Sequence, residues 1–279
     1  MNKLTFISIL FLICFESSAD VFLGKLSSNP ILERTAYVTE YDYQKRIPRW
    51  VFYTVAPDYL KTPPRKGKFK KFRADPDIEN PVVYKDYTHS GYSRGHLTPF
   101  FTSGGDRDGD EIYAGGSLSD PEDEKTVFEI NYMSNITPQD QKCFNGAGGV
   151  WYNLETHVRR ELVQKQRKTV HIFAGPVFYD GNHVEYIGPS SDIAVPHAYF
   201  KILVFTNLDG SLKEVYSFLF PHNKKSVVDN SCILERKSFN DPNFAVSIDK
   251  LETLTGLDFF SLLIDQKEEK LEKAVNLYK

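Results

Sequence analysis

The stretch Ser90–Pro99 reads SGYSRGHLTP and places an arginine two residues before a histidine, with one glycine between them. Gly95 removes a side chain at a point where the backbone must turn or approach another group closely. The stretch therefore predicts a loop tip or strand end that presents the side chains of Arg94 and His96 together.

These two side chains suit phosphodiester chemistry. Histidine has an ordinary pKa near 6.5 and accepts a proton at neutral pH, whereas a guanidinium stays cationic and forks onto two phosphate oxygens. We therefore expect His96 to act as a general base toward water and Arg94 to offset charge on the phosphate. The tripeptide alone equally allows a structural histidine beside a surface arginine.

The same stretch resembles the signature of the DNA/RNA non-specific endonucleases, the ββα-metal nucleases related to endonuclease G. The usual form in that family is D-R-G-H, and here Ser93 stands in place of the aspartate. The S-R-G-H variant resembles the branch of mitochondrial exo/endonuclease relatives of endonuclease G. Serine has no carboxylate, so Ser93 does not supply the supporting group that the aspartate provides in the usual form.

Seven further segments are similar to family segments and follow in family order. This resemblance implies an α+β fold in which a largely antiparallel central sheet is flanked by helices and carries a ββα-metal motif. The segments are YDYQKRIPRWVFYTV from Tyr41, FRADP at Phe72–Pro76, MSNITPQ at Met133–Gln139, WYNLE at Trp151–Glu155, FAGPVF at Phe173–Phe178, VPHAYFK at Val195–Lys201 and LETLTGLDFF at Leu251–Phe260.

The resemblance also implies one Mg²⁺, with Mn²⁺ as the alternative ion, held by Asn145. Magnesium typically takes only one or two protein oxygens and keeps several waters. Glu155 matches the family's helix glutamate, which orients water or protonates the leaving oxygen. Ten positions separate Asn145 from Glu155 where the family has about eight, and the simplest explanation is two extra residues within Gly146–Gly149, a run of small residues.

Other side chains compete for the remaining implied roles. Asn135 and Asn153 are alternatives to Asn145, although the first resembles a framework position and the second lies inside a predicted helix. For the arginine that the family places before the F-x-x-D-P turn, Arg65 is the first candidate for substrate binding and Lys70 the alternative.

The implied function is a secreted, metal-dependent, sugar-non-specific nuclease that hydrolyses DNA and RNA and leaves 5′-phosphate ends. Activity is expected to fall as His96 becomes protonated below about pH 6. One alternative is a catalytically impaired secreted protein that binds nucleic acid on the same scaffold. Another is a toxin or adhesion factor that acts through its acidic loop, residues 106–124.

Composition limits how such a protein meets its substrate. The 279 residues are 41% hydrophobic, enough for one well-packed domain, and the formal net charge is -3. An acidic-leaning chain needs a local basic surface to attract nucleic acid. The run from Lys61 to Arg73 holds seven cations and no acid, which predicts a phosphate-facing track, although a solvated loop is the ordinary alternative.

The N-terminus predicts export. Residues 1–19 have the features of a secretory signal peptide: Lys3, an apolar run from Leu4 to Phe15 and a predicted cleavage point after Ala19. The apolar run is too short to span a bilayer. An extracellular or periplasmic location follows. The two cysteines that remain, Cys143 and Cys232, are then expected to form a disulfide.

The predicted domain organisation is a signal peptide at 1–19, an endonuclease domain at 20–264 and a charged helical tail at 265–279. The resemblance adds a homodimer as a further expectation. Residue patterns predict strands at 34–56, 127–133, 169–178, 199–206 and 215–221, a helix at 151–166 and a solvent loop at 106–124.

Overall fold

The computed structural model describes residues 26, 29–102, 104–115, 121–263 and 265–278, and the predicted signal peptide at 1–19 lies outside them. The strands are β1 (Ile31–Glu33), β2 (Tyr37–Asp42), β3 (Ile47–Val55), β4 (Ser93–His96), β5 (Ile136–Gln139), β6 (Val170–Val177), β7 (Glu185–Ile187), β8 (Ile193–Val195), β9 (Ala198–Thr206) and β10 (Leu212–Pro221). The helices are α1 (Pro121–Ile130), α2 (Val150–His157), α3 (Ile248–Thr255) and α4 (Asp265–Lys273), and α2 continues as a π-helix over Val158–Lys165. Short 3₁₀ turns lie at Asp58–Leu60, Gly67–Lys70, Tyr84–Tyr87, Met133–Asn135 and Pro242–Phe244.

A six-stranded sheet in the order β1-β2-β3-β6-β9-β10 forms the centre of the fold, and every neighbouring pair in it is antiparallel. Two smaller sheets pair β4 with β5 and β7 with β8. The predicted α+β class with a largely antiparallel sheet is confirmed. Within the described ranges, no helix has both the length and the apolar character needed to cross a bilayer.

The central sheet is covered on both faces. Successive side chains of a strand point to opposite faces, so Val51 and Tyr53 of β3 enter one core while Trp50 and Phe52 enter another. The first core also contains Trp151 of α2, and the second is closed by α3 and the aromatic segment after it. Burial on both sides explains why β9 is apolar along nearly its whole length.

One strand prediction is wrong. Residues 127–133 belong to α1 and the turn after it, because the helix begins at Pro121 and places acidic residues in its first turn. Proline at the first helical position and negative charge near a helix N-terminus both favour this start. Val127 and Ile130 then lie three residues apart on one buried face, a spacing that a short apolar run does not distinguish from a strand.

The acidic loop is a solvent loop only in part, because among its described residues 108–111 are exposed, Asp106 and Ala114 are buried and 121–124 belong to α1. In the acidic loop the Asp106 carboxylate is buried and accepts the backbone N–H groups of Gly109 and Glu111 at 2.7 and 2.9 Å, so it closes a turn. The C-terminal helix ends at Lys273, and the residues after it return to the domain, where the Tyr278 hydroxyl bonds His157 Nε2 at 2.8 Å.

The predicted disulfide between Cys143 and Cys232 is present, with their Cα atoms 5.5 Å apart. It joins the connection between β5 and α2 to the loop that follows β10. The bond spans a sequence separation of 89 residues, so it removes much of the conformational freedom of the unfolded chain.

We expect the double variant Cys143→Ser/Cys232→Ser to lose about 4 to 5 kcal/mol of unfolding free energy, the chain-entropy value for a loop of this length. Urea unfolding with and without reductant measures the loss. The variant should match the reduced wild-type protein, and equal unfolding midpoints for oxidised wild type and variant would contradict this expectation.

Candidate active site

Strand β4 presents the arginine and histidine of the central motif side by side. Residues two apart on a strand share a face, so Arg94 and His96 project together, while Gly95 faces the opposite side. A Cβ at Gly95 would lie 2.1 Å from the Gln139 side chain on the paired strand β5. The glycine is therefore required for a close approach, as the sequence predicts.

Ser93, the departure from the usual aspartate, has a structural role in this protein. Its hydroxyl donates to the Gln139 carbonyl at 2.8 Å and so secures the start of β4. Arg94 is held from the other side, because its Nε donates to the Tyr84 carbonyl at 3.0 Å and its guanidinium lies 5.5 Å from the centre of the Phe72 ring.

The Asn131 side chain selects the tautomer of His96. Its Nδ2 donates to the carbonyls of Phe69 and Val127, which leaves Oδ1 directed at His96 Nε2 at a distance of 3.1 Å. A carbonyl oxygen only accepts, so Nε2 carries the proton and Nδ1 keeps its lone pair. The imidazole is thereby prepared to take a proton through Nδ1.

His96 is more deeply buried than the motif suggests, with 9% of its surface exposed and its ring packed 5.3 Å from that of Phe72. Burial, aided by the positive charge of Arg65, lowers the pKa of His96 to about 3. The expected loss of activity below about pH 6 therefore moves to lower pH in the free protein. A bound phosphodiester would oppose this shift, because its negative charge favours the imidazolium.

Asp140, directly after β5, organises the loop that carries Asn145. Its Oδ1 accepts the backbone N–H groups of Lys142 and Cys143, and its Oδ2 accepts that of Lys225 at 2.9 Å. Its backbone carbonyl accepts the N–H of Asn145, also at 2.9 Å. One buried carboxylate thus fixes both ends of the disulfide-linked region.

His222 holds Asp140 in place from the end of β10. Its Nε2 accepts the Asp140 backbone N–H at 2.9 Å, and its Nδ1–H donates to the Pro196 carbonyl at 2.9 Å. The bond accepted by Nε2 requires the neutral ring, and burial lowers the pKa of His222 to about 4. A histidine 82 residues away in sequence therefore supports the loop of the site.

The glycine run after Asn145 folds tightly, as the longer interval requires. Gly148 has a φ of +86°, and a Cβ at Gly149 would lie 2.1 Å from the Phe144 carbonyl oxygen. Asn145 lines a cleft together with His96, whereas Ala147 is exposed outside it. Among the described residues, no hydrogen-bond partner of the Asn145 side-chain amide is found.

Glu155 on α2 is held by a buried lysine. Lys201 of β9 is fully buried, and its ammonium lies 3.0 Å from Glu155 Oε1 and 3.7 Å from the centre of the Trp151 ring. Burial raises the pKa of Glu155, and the neighbouring cations Lys201 and Arg159 oppose that shift. The Glu155 side chain keeps 16% of its surface exposed and lines the same cleft.

One cleft of about 260 Å³, here called the central cleft, gathers these groups. Three guanidinium groups line it against a single carboxylate, that of Glu155, within the described part of the chain. A site of this charge attracts a phosphate anion. The lining side chains include Arg65, Arg94, His96, Asn145, Glu155 and Arg159.

A family model of the DNA/RNA non-specific endonucleases matches residues 19–266. This chain belongs to that family. Membership, together with relatives named as nucleases, supports nuclease activity on DNA or RNA. The ββα unit of the fold is formed by β4, β5 and α2.

Curated relatives resemble the endonuclease over most of its length. Nuclease C1 of Cunninghamella echinulata var. echinulata is 28% identical over 249 residues, 85% of each chain. The nuclease of Serratia marcescens is 27% identical over 253 residues, 88% of this chain and 80% of the relative. The mitochondrial nuclease EXOG of Mus musculus is 29% identical over 258 residues, 89% of this chain and 61% of the relative.

A solved structure supports the same assignment. The crystal structure of the EndoG/EndoGI complex, determined for the mechanism of EndoG inhibition, matches with a TM-score of 0.64 and 26% sequence identity. The match covers 87% of this chain and 90% of that one.

Only part of the basic run of the endonuclease lines the central cleft and the groove beside it. Arg65, Lys70 and Lys71 line a wider groove beside the central cleft, here called the outer groove, but Lys70 does not reach the central cleft itself. Lys68 pairs with Glu124 at 2.7 Å, and Arg73 donates to backbone carbonyls. Arg65 is thus the better placed of the two substrate-binding candidates.

Sequence patterns of the endonuclease do not reveal several supporting residues. Arg159 lies four positions after Glu155 on one helical face, a spacing that offers a signal for it. Asn131, Asp140 and His222 act through contacts between distant segments and carry no local signal. Lys201 ends a family-like segment, but its pairing with Glu155 is seen only in the fold. Asn135, the alternative ligand, instead bonds the Thr98 backbone at 2.8 and 3.0 Å and belongs to the framework.

We expect Asn131→Ala to reduce kcat/KM about 10- to 100-fold, as for other hydrogen-bond partners that orient a functional imidazole. Asn131→Asp should raise the pKa of His96 and move the acid limb of the pH-rate profile to higher pH. The exposed variant Asn182→Ala is the matched control. Unchanged rates and profiles in both Asn131 variants would exclude this orienting role.

Stability should fall on acidification because His96 and His222 are neutral in the folded state. Their folded pKa values, about 3 and about 4, lie below the unfolded value near 6.5, so the unfolded chain binds protons first as pH falls. Stability is fully present above the unfolded pKa and declines below it, by about 2 kcal/mol per histidine at pH 5. Urea unfolding at pH 7 and pH 5 measures this loss of unfolding free energy. The variant His222→Asn should lose about 2 kcal/mol less than the wild type between these two pH values. An equal pH dependence in variant and wild type would refute the neutral, buried state of His222.

Proposed function

We propose that this endonuclease is a secreted, magnesium-dependent enzyme that hydrolyses the phosphodiester bonds of DNA and RNA with His96 as general base. The observation that carries the proposal is the central cleft, where a proton acceptor of fixed tautomer lies among three guanidinium groups, an open amide and a carboxylate. Each of these groups has a use in phosphodiester hydrolysis.

His96 supplies the base. With the Nε2 proton donated to Asn131, Nδ1 accepts a proton from a water molecule that attacks phosphorus. Arg94 and Arg65 offset the negative charge that grows on the phosphate oxygens as the new bond forms. Arg94 is well suited to this because its Nε is already anchored to the backbone, which leaves its terminal nitrogens for the anion.

The cleft fits a magnesium ion. Asn145 offers an amide oxygen without a partner among the described residues, and Glu155 retains Oε2 while Lys201 holds Oε1. One neutral oxygen and one carboxylate beside a solvent-filled cleft match the preference of Mg²⁺ for few protein ligands and several waters, and Mn²⁺ accepts the same donors. When bound, such an ion supplies Lewis-acid stabilisation of charge on the phosphate and the leaving oxygen.

Lack of sequence preference follows from the same groups. Guanidinium, amide and carboxylate groups around a phosphate act on the backbone of the substrate, which carries no base information. The site should accept both ribose and deoxyribose, because its charged groups act on the phosphate and not on the sugar.

Export is proposed from residues 1–19 and is supported by the disulfide, because such bonds persist in oxidising compartments. The mature protein should appear in the medium or periplasm with Asp20 as its first residue, which intact mass establishes. Retention of the full chain inside the cell would overturn this part of the proposal.

We expect His96→Ala to lower the rate of plasmid and RNA cleavage by about 10²- to 10⁴-fold, the usual contribution of a general base. His183→Ala, which removes an exposed histidine, should retain wild-type activity.

Chelation of the metal should abolish cleavage, and Asn145→Ala should raise the concentration of Mg²⁺ needed for half-maximal rate.

The proposed roles of His96 and of the metal ion can be refuted independently of each other. Cleavage undiminished in a folded His96→Ala protein would remove His96 as the base, and cleavage in excess chelator would remove the metal. Binding of nucleic acid without cleavage by the wild type would favour the impaired, binding-only alternative.

A further inference from the structure

A second basic groove adjoins the central cleft and shares no lining residue with the outer groove. It has a volume of about 630 Å³ and is here called the helix groove, because the end of the α2 helix forms one wall. Phe101 and Arg159 line both spaces, so the two are adjacent. The cations of the helix groove are Lys61, Arg159, Arg160 and Arg167.

These cations are largely uncompensated. Arg160 and Arg167 are exposed, and within the described ranges neither forms an ion pair. Lys61 lies 3.7 Å from the buried Asp106 carboxylate. Asp58 is the one carboxylate that lines the groove in the described part of the chain, so the wall carries a clear excess of positive charge.

The helix directs its arginines along this path. After His157 the helix widens into the π form, and Arg159 lies four residues beyond Glu155. Arg159 therefore contributes to both spaces, while Arg160 contributes to the helix groove alone. Positive side chains of the helix thus line both the central cleft and the helix groove.

Phe101 stands at the junction of the two spaces. Its ring is 41% exposed, although Phe100 supports it edge-on at 5.1 Å and the Arg159 guanidinium lies 5.5 Å from its centre. A lone exposed aromatic ring needs no explanation by itself. A ring fixed between two cation-lined spaces has the features of a stacking platform for nucleic-acid bases.

We propose that the helix groove binds the cleaved strand on one side of the scissile phosphate, with a base stacked on Phe101 and the following phosphates on Arg160 and Arg167. The inference rests on the proposed function, since it assumes that the scissile phosphate occupies the central cleft. It makes a polynucleotide strand of several residues, and not a short phosphodiester, the preferred ligand.

Binding to the His96→Ala protein tests the proposal without turnover. The probes are fluorescein-labelled single-stranded oligonucleotides of about 4, 8 and 12 nucleotides, spanning the usual site sizes for single strands, and affinity is measured by anisotropy across a series of salt concentrations. Arg160→Gln/Arg167→Gln should weaken binding of the longer probes. The slope of log affinity against log salt should fall by about 0.7 for each phosphate that the variant no longer neutralises.

The aromatic contact is tested in the same background. Phe101→Ala should weaken binding about 5- to 150-fold, the range for one stacked base, and Phe101→Trp should restore it. The matched control is Lys213→Gln/Lys250→Gln, which removes two exposed cations elsewhere and changes net charge equally. Thermal unfolding of each variant verifies that it is folded.

The outcomes separate this inference from the proposed function. If the wild type cleaves nucleic acid but the Arg160/Arg167 and Phe101 variants bind the probes normally, the proposed role of the helix groove is refuted and the proposed hydrolysis is not. Equal weakening in the control pair would overturn it too, because the effect would then be one of net charge. If the groove variants bind the probes more weakly but the wild type does not cleave nucleic acid, strand binding in the helix groove is supported and the proposed hydrolysis is refuted.

Discussion

The antiparallel pairing of β4 with β5 is the constraint on which the site depends. Only four residue pairs hold it, yet it places Arg94 and His96 on one face and brings the Gln139 side chain against Gly95. Any side chain at position 95 would displace the buried Gln139 side chain. The same β5 ends at Gln139, directly before Asp140, so the position of the loop with Asn145 also follows from this pairing.

Buried polar groups then set the geometry within the cleft. The Asn131 amide, the Asp140 carboxylate and the His222 ring each have their hydrogen-bonding atoms occupied by partners from distant segments. An unsatisfied polar group in such a position would be costly. Because each group is satisfied in only one arrangement, the network specifies the orientation of His96 and the course of the Asn145 loop.

The Lys201–Glu155 pair illustrates a different balance. Removing an ammonium group from water is expensive, and a buried ion pair often adds little net stability. Its value here is positional, since Lys201 fixes one oxygen of Glu155 and leaves the other toward the cleft. The cation over Trp151 further ties the carboxylate to the core on the same face of the sheet.

The sequence by itself determined the family, the α+β class, the adjacent placement of Arg94 and His96, and the Cys143–Cys232 pair. These are encoded by local motifs, by apolar runs such as that of β9, and by the presence of two cysteines after residue 19. It misassigned 127–133, where a short apolar run fits strand and helix equally. Only the tertiary structure decided the tautomer of His96, the anchoring of Asp140 by His222 and the adjacency of the central cleft and the helix groove, because each depends on contacts between segments tens of residues apart.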